Sequence, residues 1–152
     1  SVPDPAKPLP EDRESVFYPN VLEIPPKPET ADARNLLQLA VRNRIKLFYR
    51  PASLSGKPEE AASTLTWTLR QEAGKSVIEV HNPSAYYVSI NKVAFDGIET
   101  EPAMVAPKSN AMLPLNKVVA SARSSNQLTV EWINDQGGVV TAKQSFSPGG
   151  QP

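Results

Sequence analysis

An all-β chain is what this sequence predicts, and three observations carry that expectation. Sixteen of the 152 residues are proline and only seven are glycine. Proline at about twice its average share breaks helices and suits short strands joined by turns. Residues 37 to 49 alternate apolar and polar side chains with a period of two, as a strand does. From residue 64 onward, short runs rich in β-branched and aromatic residues recur between turn cues.

The elements follow in order. Residues 1 to 14 are proline-rich and polar, an extended lead-in. Val16 to Ile24 forms a first strand, apolar on both faces in places and therefore expected to be buried. Pro19 interrupts it, and a residue without an N–H implies a bulge or an edge position there. Pro25 to Arg34 is a polar loop. The stretch 37–49 then reads as one long strand. Its odd positions are Leu37, Leu39, Val41, Asn43, Ile45, Leu47 and Tyr49; all but Asn43 are apolar or aromatic. Its even positions include Gln38, Arg42, Arg44 and Lys46, with Ala40 and Phe48 as exceptions. One face is oily and the other largely basic. A strand of this length spans about 40 Å at ~3.3 Å per residue, well beyond the usual ~5–6 residues. The competing reading is an amphipathic helix for a membrane surface, with Leu37, Val41, Ile45 and Phe48 on one side. It puts Arg44 inside the apolar stripe, and Pro25, Pro26, Pro28 and Pro51 favour extended entry and exit.

Pro51 to Ser63, polar and containing Gly56 and Pro58, reads as a linker. Strand-like segments follow at Leu65–Arg70, Ser76–His81, Ala85–Val93, Ala103–Ala106, Ala111–Val119, Gln127–Ile133 and Val139–Phe146. Turn cues separate them at Gly74, Asn82–Pro83, Asp96–Gly97, Pro107, Ser124–Asn126 and Asp135–Gly138. About seven short strands at this spacing describe an Ig-like β-sandwich. The expected organisation is therefore two strands over 1–50 that do not make a domain by themselves, a linker over 51–63 and a complete Ig-like domain over 64–152. Two strands cannot bury both faces and are marginal alone. The apolar surface of Val16–Ile24 and Leu37–Tyr49 needs more strands than these, supplied by a further piece of chain or by another molecule, unless the segment is disordered; left unpaired it leads to self-association.

Composition excludes several function classes. Sixteen basic and sixteen acidic residues give a formal net charge of zero, so nothing argues for nucleic acid as a partner. No run of ~18 apolar residues is present, so no membrane insertion is expected. The absence of cysteine removes disulfides, thiolate chemistry and cysteine-ligated metal. His81, the single histidine, sits at a strand end before Asn82–Pro83, where a structural role is the ordinary one. No nucleophile elbow, phosphate loop or metal-ligand spacing occurs. No catalytic residue, metal site or cofactor is expected, and the chain does not read as an enzyme.

Four stretches carry a resemblance. Leu9 to Pro26 (LPEDRESVFYPNVLEIPP) and Asn35 to Pro51 (NLLQLAVRNRIKLFYRP) closely resemble motifs of the PapD-like periplasmic chaperones of pilus assembly. Asn82 to Val88 (NPSAYYV) and Ile133 to Gly138 (INDQGG) resemble that family's second domain. The resemblance covers about residues 9 to 146. It implies the last two strands of a first Ig-like domain followed by a complete second one. It also implies a periplasmic protein that holds pilin subunits by donor-strand complementation and delivers them to an outer-membrane usher. Pilin capture of this kind is a worked example of β-augmentation.

The resemblance assigns roles to residues. Leu37, Leu39 and Val41 would enter subunit pockets. Burying three aliphatic side chains is worth roughly 5–9 kcal/mol gross, at ~1.5–3 each, before association costs. Lys46 matches a lysine that binds the subunit's terminal carboxylate, a charge-assisted contact of about 1.5–3 kcal/mol. The arginine that accompanies it in the family has no counterpart here. Glu14, Arg50 and Asp135 match an interdomain charge network; the bland alternative is three solvated charges worth little. Two other functions compete: an Ig-like structural or adhesive module, and such a module with a basic membrane-surface segment.

Overall fold

A computed structural model of the chain describes residues 7–23, 41–115, 117 and 126–148. The chain divides into two compact units. One comprises Ser1–Pro10 and Ser15–Arg50; the other comprises Glu11–Glu14 and Pro51–Pro152.

Among its described residues the first unit holds four short strands, β1 (Ser15–Phe17), β2 (Asn20–Glu23), β3 (Val41–Arg44) and β4 (Leu47–Tyr49). β1 pairs antiparallel with β4, from Ser15↔Tyr49 to Phe17↔Leu47. β2 pairs antiparallel with β3, from Asn20↔Arg44 to Glu23↔Val41. The two ladders share one register. Continuing either of them brings Tyr18 opposite Lys46 and Pro19 opposite Ile45, with no residue inserted. Pro19 therefore opens a gap without making a bulge, because it removes a donor while the count stays even. The expected continuous strand is broken at Ile45–Lys46 for this reason, and Leu37 to Ala40 lie outside the described residues. Residues 41–44 and 47–49 are strand, which overturns the amphipathic-helix reading for them. Val16 and Phe17 are half-buried, not buried as expected.

The second unit is the expected two-sheet sandwich. After α1 (Pro58–Ala61) and a 3₁₀ turn (Ala62–Thr64) come β5 (Thr66–Glu72), β6 (Lys75–Asn82), β7 (Val88–Phe95), β8 (Ile98–Glu99), β9 (Ala103–Val105), β10 (Ser109–Pro114), β11 (Gln127–Ile133), β12 (Val139–Ser145) and β13 (Ser147–Pro148). One sheet runs β10-β6-β5-β13; the other runs β12-β11-β7-β8, with β9 also on β7. Alternation explains the core. Trp67 and Leu69 of β5, Ile78 and Val80 of β6, and Leu128 and Val130 of β11 point inward and are buried. On β7 the phase changes: Val88 and Ile90 are buried, then Val93 and Phe95. The ladder to β11 passes from Trp132↔Ile90 to Glu131↔Lys92, leaving Asn91 without a partner. That bulge flips the inward face by one residue. Phe95 meets Phe146 edge-on at 5.1 Å between ring centres, closing the core.

Residues 51–63, expected as a linker, are instead packed into this unit. Pro51 is buried, Ala61 and Ala62 join the core, and the Tyr86 hydroxyl donates to the Gly56 carbonyl at 3.0 Å. Gln144 donates to the Ala62 carbonyl at 3.0 Å and accepts from the Trp67 indole. Asn82, fully buried, organises the turn before β7. Its amide donates to the carbonyls of Tyr86 (2.7 Å), Ala106 (3.1 Å) and Val105 (3.3 Å), and its oxygen accepts from the backbone N–H and hydroxyl of Ser84.

Candidate functional site

The hairpin of the first unit is the natural place to begin. Directly opposed residues of an antiparallel pair share a face. The register therefore groups Leu47 and Tyr49 with Phe17 and Ser15, and extends that face to Ile45 and Pro19. The other face carries Phe48 with Val16, extended to Lys46 and Tyr18. Ile45 is 57% exposed, Leu47 59% and Tyr49 46%. A soluble surface rarely keeps so contiguous an apolar row without a use for it. Among the described residues of this unit, two strands offer no second layer to cover it.

The structure places the expected subunit-binding residues unevenly. Leu37 and Leu39 lie outside the described residues. Val41 begins β3, paired with Glu23. Lys46 stands in the break between β3 and β4, exposed and without an ion-pair partner among the described residues. An ammonium there can meet a carboxylate without first breaking another bridge.

Of the three residues expected to form a charge network, Glu14 has the most defined setting. It is 3% exposed. Its backbone N–H donates to the Ala85 carbonyl at 2.8 Å, and its carboxylate accepts from the Tyr87 N–H at 2.7 Å. Arg50 follows β4 and is exposed; Asp135 is exposed in the turn between β11 and β12. All three take part in further interactions. Sequence reasoning missed the neighbours of Glu14. Asp12 bridges Arg13 at 3.0 Å and Lys108 at 3.1 Å. Hydrogen bonds from Arg13 and then Lys108 hold its carboxyl well below the usual carboxylate range. Residues 11–14 thus form a strap on the second unit, ahead of the hairpin they introduce.

An all-β chain with an Ig-like two-sheet sandwich and an apolar strand hairpin before it defines a class of Ig-like sheet proteins. The family comparisons make the class specific. Residues 60–144 match the C-terminal domain of the pili assembly chaperone PapD, and residues 3–55 match the PapD N-terminal domain of pili and flagellar-assembly chaperones. The chain belongs to the PapD family of pili assembly chaperones, a non-enzymatic family. The probable fimbrial chaperone YadV of Escherichia coli K12 is 43% identical over 138 residues, covering 87% of this chain and 56% of YadV. A crystal structure of a YadV chaperone aligns with a TM-score of 0.72 at 37% identity, over 93% of this chain and 67% of that one. A Salmonella enterica structure of the SafA pilin in complex with the SafB chaperone contains a chain that aligns with a TM-score of 0.70 at 25% identity, over 92% of this chain and 63% of that one. The chain spans about half the length of the curated relatives it matches, 56% of YadV. No helix among the described residues is long and apolar enough to cross a membrane.

Proposed function

We propose that this chain is the subunit-holding part of a periplasmic chaperone of the chaperone–usher pathway. It caps pilin subunits by donor-strand complementation and hands them to an outer-membrane usher. The hairpin carries the reading. An exposed apolar row ends at Ile45, Leu47 and Tyr49, and beyond the polar Asn43 the alternating sequence resumes it through Val41, Leu39 and Leu37. A pilin lacking its last strand would receive the backbone of 37–42 as that strand. Leu37, Leu39 and Val41 would fill its pockets, and Lys46 would take its terminal carboxylate. The lysine's larger effect is on register, because a one-residue slip turns every side chain to the wrong face. Glu14, Arg50 and Asp135 are proposed to set the angle between the two domains. The SafA–SafB complex supports a pilin as the partner of a related chaperone.

The test is co-expression with a pilin that lacks its last strand, followed by pull-down. Wild-type chain should retain the subunit. Leu39→Asp should lose it while the second unit stays folded, since a charge cannot enter an apolar pocket without a large desolvation cost. Unchanged retention would sink the insertion mechanism.

A further inference from the structure

Lys108 holds a backbone conformation that suits lysine poorly. Pro107 and Lys108 make the turn between β9 and β10, and Lys108 has a φ of 52°. After a proline, a turn residue at positive φ is by preference glycine or asparagine. Other L residues bring their Cβ too close to the following carbonyl oxygen there.

The surroundings impose that conformation. The buried Asn82 amide donates to the carbonyls of Val105 at 3.3 Å and Ala106 at 3.1 Å, just before the turn. The Lys108 N–H donates to the Ser84 carbonyl at 3.1 Å, and the Ser109 hydroxyl donates to the Pro107 carbonyl at 2.9 Å. Bonds on both sides of a residue keep a strained backbone in place. Glycine or asparagine can make the same main-chain bonds with less strain, so the turn itself does not call for a lysine.

The side chain has a use instead. Lys108 Nζ lies 3.1 Å from Asp12 Oδ2, across 96 positions of sequence. Asp12 is already oriented, because the Arg13 guanidinium donates to both of its oxygens, at 3.0 and 3.1 Å. A planar fork on both oxygens fixes the carboxylate, and such a network is the case in which exposed charges do contribute. Asp12 belongs to the strap 11–14. The far end of that strap is tied to Ala85 and Tyr87 by the N–H and the carboxylate of Glu14. Lys108 thus holds the 84–87 loop by its main chain and the strap by its side chain, while Glu14 joins the strap to the same loop. Three segments distant in sequence close a ring within the second unit.

We propose that Lys108 is a positioning residue whose ammonium latches the strap onto the second unit, and that this latch opens with salt. Asp12 and Lys108 are both exposed, so added ions screen their attraction, whereas the bonds of the buried Glu14 are screened much less. The inference does not need the hairpin reading: failure of pilin capture would leave it standing.

The test is amide hydrogen exchange of the 152-residue chain, followed by NMR at Glu14 and Tyr87, whose N–H groups make the strap's bonds. Lys108→Asn should speed both by about two- to fivefold, the range of one exposed ion pair. Lys108→Arg keeps the charge at the same φ and should stay at wild-type rates. Asp12→Asn should match Lys108→Asn, and the double variant should go no faster than either. Salt at about 1 M should bring wild type to the rates of the variants and leave the variants unmoved. The strain is read separately. In the Asp12→Asn background no bridge remains to be lost, so Lys108→Asn should raise the melting temperature. Wild-type exchange in Lys108→Asn, equal acceleration in Lys108→Arg, additive effects in the double variant, or a lowered melting temperature in that background would each overturn the assignment.

Discussion

The carboxylate of Glu14 accepts a 2.7 Å hydrogen bond from the backbone N–H of Tyr87, 73 positions away in the sequence. This contact ties the strap ahead of the hairpin to the loop that opens β7. With the 2.8 Å bond from the Glu14 N–H to the Ala85 carbonyl, it satisfies main-chain groups that no ladder reaches. A charged acceptor makes the stronger kind of bond, and burial raises the penalty for losing it.

Replacing Glu14 should therefore weaken the second unit itself. Glu14→Ala leaves the Tyr87 N–H without that acceptor, at a cost of about 1–3 kcal/mol. Glu14→Gln keeps an acceptor and should cost less. Urea denaturation followed by tryptophan fluorescence measures both. Equal stability of Glu14→Ala and wild type would show that water replaces the carboxylate freely.

Asn82 should be the costliest single polar position. It is fully buried and serves three carbonyls and two Ser84 donors. Asn82→Ala removes all of these partners at once. With buried unsatisfied groups costing about 1–3 kcal/mol each and some relaxation allowed, a loss on the order of 3 kcal/mol is expected. The same denaturation experiment checks it. A loss near that of a surface substitution would contradict the role assigned to this side chain.

Acid sensitivity follows from Asp12. Its carboxyl is held low by Arg13 first and Lys108 second. A carboxylate whose folded pKa is depressed stabilises the fold above its unfolded value, about 3.9, and that contribution is lost as pH falls toward the folded value. The melting-temperature difference between wild type and Asp12→Asn should thus be constant from about pH 7 to 5 and shrink below about pH 4. Both partners are exposed, so the difference should be small and should fade with added salt. A difference that grows on acidification would reverse the assignment.

The β5–β6 turn offers a gain in stability. Glu72 pairs with Lys75 across a two-residue loop, and both loop residues have positive φ, 49° at Ala73 and 75° at Gly74. That is the primed turn preferred in hairpins, but alanine is poorly suited to its first position. Ala73→Asn should raise the unfolding free energy by about 0.5–1 kcal/mol, because asparagine tolerates the left-handed region. Thermal melts of freshly prepared protein decide it. A lowered melting temperature would mean that the loop is not strained at Ala73.

Legibility in the sequence followed the physics of each element. β11 occupies the expected Gln127–Ile133 because its alternation is unbroken. β7 was expected at Ala85–Val93 but runs Val88–Phe95. Asn82 holds Ala85 to Tyr87 in a turn, and the bulge at Asn91 reverses the phase that a period-two reading follows. The helix at Pro58–Ala61 is too short to show a helical period. The pairing of Asp12 with Lys108 joins positions 96 apart, and no local pattern announces it. At the candidate site, alternation revealed the apolar row, whereas the break at Ile45–Lys46 depends on Pro19 on the opposite strand.

The exposed hairpin has a consequence for the chain in solution. Ile45, Leu47 and Tyr49 share one face of an element with no second layer among the described residues. Burying three such side chains yields roughly 5–9 kcal/mol gross, while association costs on the order of 4–15 kcal/mol. The balance favours weak self-association over a tight dimer. Light scattering coupled to gel filtration should show a mass that rises with protein concentration. Leu47→Lys, which puts a charge into the row, should shift the mass toward the monomer. A monodisperse monomer at high concentration, with strands Ser15–Phe17 and Leu47–Tyr49 protected in hydrogen exchange, would mean that the apolar face is covered within the chain itself.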